Sequence, residues 1–497
     1  MTSGYIAVLF AGTLVLGGCS LAPDYHPPVV ETVSNFKENG IWVSATPGKI
    51  DVAGWWSAYN DPVLDSLEQK IEKDNPTLAA AVARYDQARG YLAEARADLF
   101  PEVGVQTNIT DNRQSANRPL RGANEPNFYN ADTVGGQIGY ELDLWGRVRN
   151  SVAANQAKAE ASADDVAAIK LDLESDLATS YVALRGDDQQ IALLRDTVTA
   201  YTKADELTRS RFEGGAASGI DAGRAGTQLA EAQAQLDDVT AARAVTENAI
   251  AVLVGAPASS FTIELQSTGF ILPPVPVGLP SELLQRRPDV AAAERRVSAA
   301  NSEIGVARAA FYPSITLGAQ GGFQNTGLPG LFSAPNLFWS IGPNTVLTLL
   351  DGGLRRAQVD VTRAQWKEAT ADYREVALKA FREVEDNLAQ LHHLGDEADA
   401  ERRAAEQAAR VEKLSFNRYV EGADTYLDVV TAQTTALRTR RTTIDLETRR
   451  LQANIHLVAA VGGGWSSATS ISSGLAPSPQ KAWASNFPHA ATDPSTQ

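Results

Sequence analysis

The stretch PTLAAAVARYDQARGYLAEARADLFPEVGV, Pro76 to Val105, occurs a second time as PDVAAAERRVSAANSEIGVARAAFYPSITL from Pro288. The copies align without a gap: Pro76 with Pro288, Arg84 with Arg296, Arg96 with Arg308 and Pro101 with Pro313, each 288 − 76 = 212 positions apart. A second set of matches runs at another offset. Leu207, Arg211, Phe212, Gly215, Asp221 and Gly255 match Leu414, Arg418, Tyr419, Gly422, Asp428 and Gly462, each 414 − 207 = 207 positions on. The chain is an internal duplication, so its fold must be built from two equivalent halves. The offset difference, 212 − 207 = 5, makes the second copy about five residues shorter between these blocks, where loop 324–337 replaces the longer loop 113–132.

Each copy reads as a helix running into a strand. Leu78, Tyr85, Leu92 and Leu99 recur every seven residues, as do Val290, Val297, Ile304 and Phe311, and a seven-residue apolar repeat is a helix-packing seam. Pro101 and Pro313 stop the helix, because the ring has no N–H and disfavours a helical residue before it. The period then drops to two. Val103, Val105 and Ile109 alternate with Gly104, Gln106 and Asn108, and Ile315, Leu317, Ala319 and Phe323 alternate with Thr316, Gly318, Gln320 and Gln324. Return strands follow, with Val134, Gly136, Ile138, Tyr140 and Leu142 on one face opposite Gln137, Glu141 and Asp143, and Trp339, Ile341, Leu347 and Leu349 on one face of the last.

Asp61-Pro62 signals an N-cap and a first helical position, opening a short helix to about Lys73. From Gly146 to about Phe212 no proline occurs and apolar residues keep helical spacing. Roughly 65 residues at 1.5 Å rise reach about 100 Å, more than a globular domain spans. This helix breaks at EGGAASG, residues 213–219, and another runs from about Ile220 to Val254. The expected boundaries are a signal peptide at 1–18, an extended lipidated segment at 19–60, a first repeat at 61–255 with its strand hairpin at 102–143, a Pro-rich crossover at 256–287, a second repeat at 288–464 with its hairpin at 314–350, and a disordered tail at 465–497.

The sole cysteine, Cys19, ends Leu16-Gly17-Gly18-Cys19 after the apolar run Ile6 to Leu16, too short to span a membrane. That tetrapeptide resembles a lipobox, which makes Cys19 the acylated mature N-terminus, with Ser20 after it pointing to the outer membrane. No Lys or Arg precedes the run, a departure from the usual signal pattern that points to a start upstream. No intrachain disulfide can form. A net charge of −16 argues against binding nucleic acid or an anionic membrane surface.

Catalytic constellations are missing. The histidines, His26, His392, His393, His456 and His489, show no metal-ligand spacing, and no phosphate loop or nucleophile elbow occurs. His392 and His393 are helical neighbours about 100° apart and read as a solvated pair. No metal or cofactor is expected. Four strands of about ten residues have the length and alternation of transmembrane β-strands. Their open edges would leave backbone groups unpaired in hydrocarbon, so the sheet must close with further copies of itself.

WW..YNDPVLDSL, YELDLWGRVR (Tyr140 to Arg149), GLPSELLQRRPDVAAAERR (Gly278 to Arg296), IGVARAAFYPSI (Ile304 to Ile315) and RYVEGADTYLDVV (Arg418 to Val430), with the lipobox and the PDYHPP after it, resemble the outer membrane factor family. Within it they are most similar to NodT-type efflux lipoproteins related to TolC, across residues 19–464. The resemblance implies a mainly α protein with a membrane β-barrel: a homotrimer whose four strands per protomer close a twelve-stranded barrel in the outer membrane, continued by a long periplasmic helical barrel. It implies a passive exit duct in a tripartite efflux system, with a periplasmic adaptor and an inner-membrane transporter as partners. Loops 113–132 and 324–337 then face outside, and the turns at 213–219 and 420–425 are periplasmic tips that dock the adaptor, with Arg211, Gly215, Arg418 and Gly422. Leu427 and Asp428 match the periplasmic gate, which Asp221 joins as the counterpart of Asp428 in the first repeat, although Thr431 stands where some relatives carry a second acid. Ordinary helix capping is the other reading of both aspartates. Two rivals remain: a structural coiled-coil envelope lipoprotein that conducts nothing, which the Gly, Gln, Asn and Thr strand faces disfavour, and an envelope hydrolase, which lacks its constellation.

Overall fold

A computed structural model of the chain describes residues 20–30, 36–38, 43–44, 54–115, 117, 126–267, 269–270, 272–274, 276–277 and 286–465. The signal run, Cys19, the tail beyond Trp465 and parts of loop 113–132 and of the crossover lie outside them.

In the first repeat, α1 (Pro62–Asp74) and α2 (Pro76–Ala97) lead into β1 (Glu102–Arg113) and β2 (Phe128–Glu141), then α3 (Arg147–Glu213) and α4 (Gly219–Leu253). The second repeat gives α5 (Pro288–Ala309), β3 (Ser314–Asn325), β4 (Leu337–Val346), α6 (Leu354–Val420) and α7 (Tyr426–Ala460). α2 and α5 are both 22 residues long, α3 and α6 both 67, and α4 and α7 both 35, so the duplication is carried into three matched helix pairs. None of the described helices is long and apolar enough to cross a membrane.

Three sequence expectations shift. Leu99 and Phe311, the last members of each seven-residue series, fall in turns past the ends of α2 and α5, because the proline two residues on forces the exit early. β2 begins at Phe128 rather than near residue 133, since ladder pairing extends to Arg113↔Phe128 and the Arg113 guanidinium lies over the Phe128 ring at 5.4 Å. Leu347 and Leu349 lie beyond β4, which ends at Val346.

Packing divides the chain into two units. One comprises Met1–Val29, Arg84–Ser162 and Ala293–Arg374 and contains the sheet, ordered β1-β2-β3-β4 with every pair antiparallel. Its central pair, β2 with β3, joins the two repeats. In the same unit the segment after Cys19 lies along α5. Arg308 Nη1 donates to the Leu21 carbonyl at 3.1 Å, Asn301 Nδ2 to that of Pro23 at 2.8 Å, and the Tyr25 hydroxyl to Glu294. Among the described residues no such segment covers α2, and Val297 and Ile304 of α5 are accordingly buried while Tyr85 and Leu92 of α2 are only half-buried.

The other unit comprises Val30–Ala83, Ala163–Ala292 and Glu375–Gln497. Asp61 accepts the N–H groups of Val63 and Leu64 at 2.8 and 3.1 Å, capping α1, and the Tyr181 hydroxyl at 3.0 Å. α1 buries Leu64, Leu67 and Ile71 against Leu177, Tyr181 and Leu184 of α3, Ile250 of α4 and Ile455 of α7. The crossover is held by charge. Arg185 and Arg243 both bind Asp188, at 2.9 and 2.6 Å, and donate to the carbonyls of Glu264 and Ile263 at 2.7 and 2.6 Å. Gly255 and Gly462 are equivalent in the two repeats: a Cβ on either would overlap the carbonyl oxygen of Asp74 or of Arg286, themselves 286 − 74 = 212 positions apart. Positive φ values of 70° and 97° add a second reason for glycine at both.

Candidate functional site

Directly opposed residues of an antiparallel ladder share a face, so the register sorts the sheet into rungs. One face carries Val103–Ile138–Ala319–Ile341, Val105–Gly136–Gly321–Trp339 and Thr107–Val134–Phe323–Leu337. The other carries Gly104–Gln137–Gln320–Ser340, Gln106–Gly135–Gly322–Phe338 and Asn108–Thr133–Gln324. The apolar rungs face outward from this unit, with Val105 83% and Trp339 73% exposed. A soluble sheet would bury that face. Here one surface suits hydrocarbon and the other suits water, and β1 and β4 each leave one edge without a strand partner among the described residues.

The strands pass into helices through paired charges. Arg147 makes two bonds to Glu141, at 2.7 and 2.6 Å. Asp143 accepts the N–H groups of Val148 and Arg149 at 3.1 and 2.9 Å, capping the start of α3, and Asp351 does the same for α6 through Gly353 and Arg355 at 3.0 and 3.2 Å. The Trp145 ring stacks on Tyr312 at 4.7 Å and its Nε1 donates to the Pro313 carbonyl at 2.8 Å, locking the turn that follows the second proline stop.

At the far ends of the long helices, α3 and α6 close in the same way. Gly215 and Gly422, at φ 75° and 80°, let Ala216 and Ala423 N–H reach back to the carbonyls of Arg211 and Arg418 at 2.7 and 2.8 Å, a Schellman close. Open space surrounds both glycines. The returning helices start with capping boxes. Ser218 Oγ donates to Asp221 Oδ2 at 2.8 Å while Asp221 N–H donates back to Ser218 Oγ at 3.2 Å. The Thr425 hydroxyl and N–H donate to Asp428 Oδ2 at 2.7 and 3.3 Å. Both aspartates therefore cap, and the Ser-x-x-Asp and Thr-x-x-Asp spacing carries that signal in the sequence. Leu427 and its counterpart Ile220 sit exposed in the same first turns.

The two arginines part company. Arg211 crosses to the other repeat: Nη1 and Nη2 donate to the carbonyls of Tyr419 and Val420 at 3.0 and 2.7 Å. Arg418 turns back into its own loop and grips Asp424 with two bonds of 2.8 Å, which holds the Asp424 carboxyl below its ordinary range. The position matching Asp424 is Ala217, so the first repeat has no carboxylate at that place for Arg211 to grip. Beneath the turns Tyr419 and Tyr426 meet edge to face at 5.1 Å within a cluster with Ala225 and Val429, and burial pushes the Tyr426 hydroxyl up to about 12.

A family model described as Outer membrane efflux protein matches residues 67–256 and 279–463, two blocks that correspond to the two repeats. The outer membrane protein OprJ of Pseudomonas aeruginosa is 32% identical over 472 residues, covering 94% of this chain and 97% of its own length. A probable efflux pump outer membrane protein, TtgC of Pseudomonas putida, is 31% identical over 456 residues, covering 91% and 94%. Among solved structures, a membrane protein from Pseudomonas aeruginosa superposes with a TM-score of 0.82 at 30% identity, over 90% of this chain and 98% of that one. The open state of the MtrE outer membrane channel of Neisseria gonorrhoeae gives 0.79 at 26% identity, over 90% and 98%.

Proposed function

The chain belongs to the outer membrane efflux protein family, and from that membership we propose how its residues make an exit duct. It is an outer-membrane channel of the efflux class, TolC-like in fold, reaching into the periplasm. Three copies close the barrel, β1 of each protomer pairing with β4 of the next, which satisfies edges that hydrocarbon would leave unpaired. The Gly, Gln, Asn and Thr rungs then line a water-filled bore and the Val, Ile and Trp rungs meet lipid. This two-faced register is the observation that carries the reading. It also disfavours a structural spacer, which has no use for a polar inner face. The duct is passive, with energy supplied by an inner-membrane transporter through a periplasmic adaptor that docks on the turns at 213–219 and 420–425.

Asp221 and Asp428, with Ile220 and Leu427, form the periplasmic constriction. Their capping bonds fix the carboxylates in the first turn of α4 and α7, and threefold repetition would bring like charges together there. Cys19 is acylated and anchors the N-terminus. The residue after it is held beside the sheet's exit: Ser20 Oγ donates to Asn150 Oδ1 at 2.9 Å, in the first turn of the helix that leaves the sheet. Mass spectrometry of the mature N-terminus should find an acylated Cys19, and an unmodified terminus elsewhere would end that claim. For the duct itself, the purified protein placed in planar bilayers should give stable ion conductance. Intact, membrane-inserted protein that conducts nothing would overturn the reading.

A further inference from the structure

The sequence assigns His392 and His393 to a solvated face, because successive helical positions diverge. In the structure their ring centroids are nevertheless 5.0 Å apart, and Asp396, one turn on, brings a carboxylate to the same side of α6. One ligand atom from each of His392, His393 and Asp396 lies within 4.8 Å of the other two.

The two nitrogens of His392 face different carboxylates. Nε2 stands 3.8 Å from Asp396 Oδ2, and Nδ1 stands 3.7 Å from Glu38 Oε2. Both separations are longer than a hydrogen bond. Two donors each about 2.0–2.1 Å from one cation stand roughly 3.4–4 Å apart, so the Nε2 to Oδ2 spacing is that of ligands sharing an ion. On the far side of the ring, a carboxylate at Nδ1 is the usual outer partner of a metal-bound imidazole. Drawn in to hydrogen-bond distance when an ion binds, it would hold the proton on Nδ1 and leave the Nε2 lone pair for the metal. Glu38 is itself placed by the backbone, since Lys37 N–H donates to Glu385 Oε1 and Oε2 at 3.1 and 3.2 Å.

We propose that His392, His393 and Asp396 bind a divalent transition-metal ion, with Glu38 orienting His392 from the N-terminal segment. Two imidazoles and one carboxylate select zinc or nickel over magnesium or calcium, and a solvent position completes the coordination. The ion would tie residues 36–38 more firmly to α6, adding a fastening between the segment that follows the anchor and a long helix.

The test is titration of the full-length, untagged protein with Zn2+ by calorimetry and with Co2+ by its visible ligand-field absorption. One ion per chain is expected. The double variant His392→Ala/His393→Ala should lose both signals, while Glu38→Gln should keep the stoichiometry and weaken binding by about 10–100-fold. All four side chains are at least partly solvent-exposed, so the fold should survive, and far-UV circular dichroism checks that. Zinc and cobalt binding that is unchanged in the double variant would overturn the site, as would a wild type that binds neither ion. A Glu38→Gln protein indistinguishable from wild type would remove Glu38 from it.

Discussion

Arg211 donates to the main-chain carbonyl of Tyr419 at 3.0 Å while its guanidinium lies 4.8 Å from the centre of the same residue's ring. One side chain of the first repeat thus closes the last turn of the second repeat's long helix, adding a donor to the Tyr419 carbonyl, which also accepts Gly422 N–H at 3.0 Å, and reaching the Val420 carbonyl beyond it. Arg418, its counterpart, makes no equivalent reach. Arg211→Ala should therefore loosen the tip, costing about 1.5–3 kcal/mol locally for charged hydrogen bonds to backbone. Hydrogen exchange at residues 418–423 should speed up by roughly tenfold or more. Arg418→Ala should free the Asp424 loop and leave the Arg211 contacts intact; equal effects of the two variants would contradict the asymmetry.

Asp428 is asked to do two things, and substitutions can separate them. Asp428→Asn keeps an oxygen for the Thr425 hydroxyl and N–H but removes the charge. It should preserve stability while weakening cation block and changing ion selectivity in planar bilayers. Asp428→Ala should do both, losing about 1 kcal/mol of cap as well. If Asn behaves as wild type in conductance, Asp428 is a cap and nothing more.

Docking of an adaptor at the tips is tested at Gly422. Gly422→Trp should abolish export while leaving the purified oligomer intact, since open space surrounds the position and the strain of a side chain at φ 80° stays within this exposed turn. Gly422→Asn, which tolerates the left-handed backbone, should retain export. Normal export by the Trp variant would count against docking at this turn.

Glu68 gives the chain a pH dependence. It is 2% exposed with neither carboxylate oxygen hydrogen-bonded among the described residues, and burial, with Glu174 nearby, pushes it up to about 10. Burial also pushes Glu174 up to about 7, against the pull of Lys170. A carboxyl raised in the folded state binds more protons there than when unfolded, so stability falls as pH rises from the unfolded value through the folded one. The window opens near pH 4.5 and extends to about 7 for Glu174 and about 10 for Glu68. Glu68→Gln should raise the unfolding midpoint at pH 9, where the unfolded chain gains from ionising this carboxyl and the folded chain keeps it protonated, and change it little at pH 4. A larger gain at pH 4 would contradict the assignment.

Much of the architecture is legible because its signals are local or repeated. The two offsets locate the shortened loop, Pro101 and Pro313 mark where helices yield to strands, Asp61-Pro62 starts α1, and period-two alternation assigns the strand faces. What escapes is decided by contacts distant in sequence. Phe128 to Asp132 read as loop until the ladder to Arg113 holds them. Glu68 looks like a surface residue of an amphipathic helix until α3 covers it. The duplication predicts like roles for Arg211 and Arg418, and one unmatched pair of positions, Ala217 and Asp424, separates them. His392 and His393 read as divergent neighbours, and only the placement of Glu38 from the other end of the chain gives their grouping chemical meaning.

In the proposed barrel, copies of this chain complete each other's sheet. β1 and β4 lie three strand spacings apart within a protomer, roughly 14 Å, beyond the ~7 Å that a disulfide can bridge. Gln106→Cys combined in turn with Phe338→Cys, Ser340→Cys or Gly342→Cys scans the possible registers between neighbouring protomers, in a chain whose sole native cysteine is Cys19. Oxidation in membranes should give, in at least one register, a covalent ladder on denaturing gels that ends at three chains. A monomer in every register, or a ladder running past three, would contradict the closed three-protomer barrel.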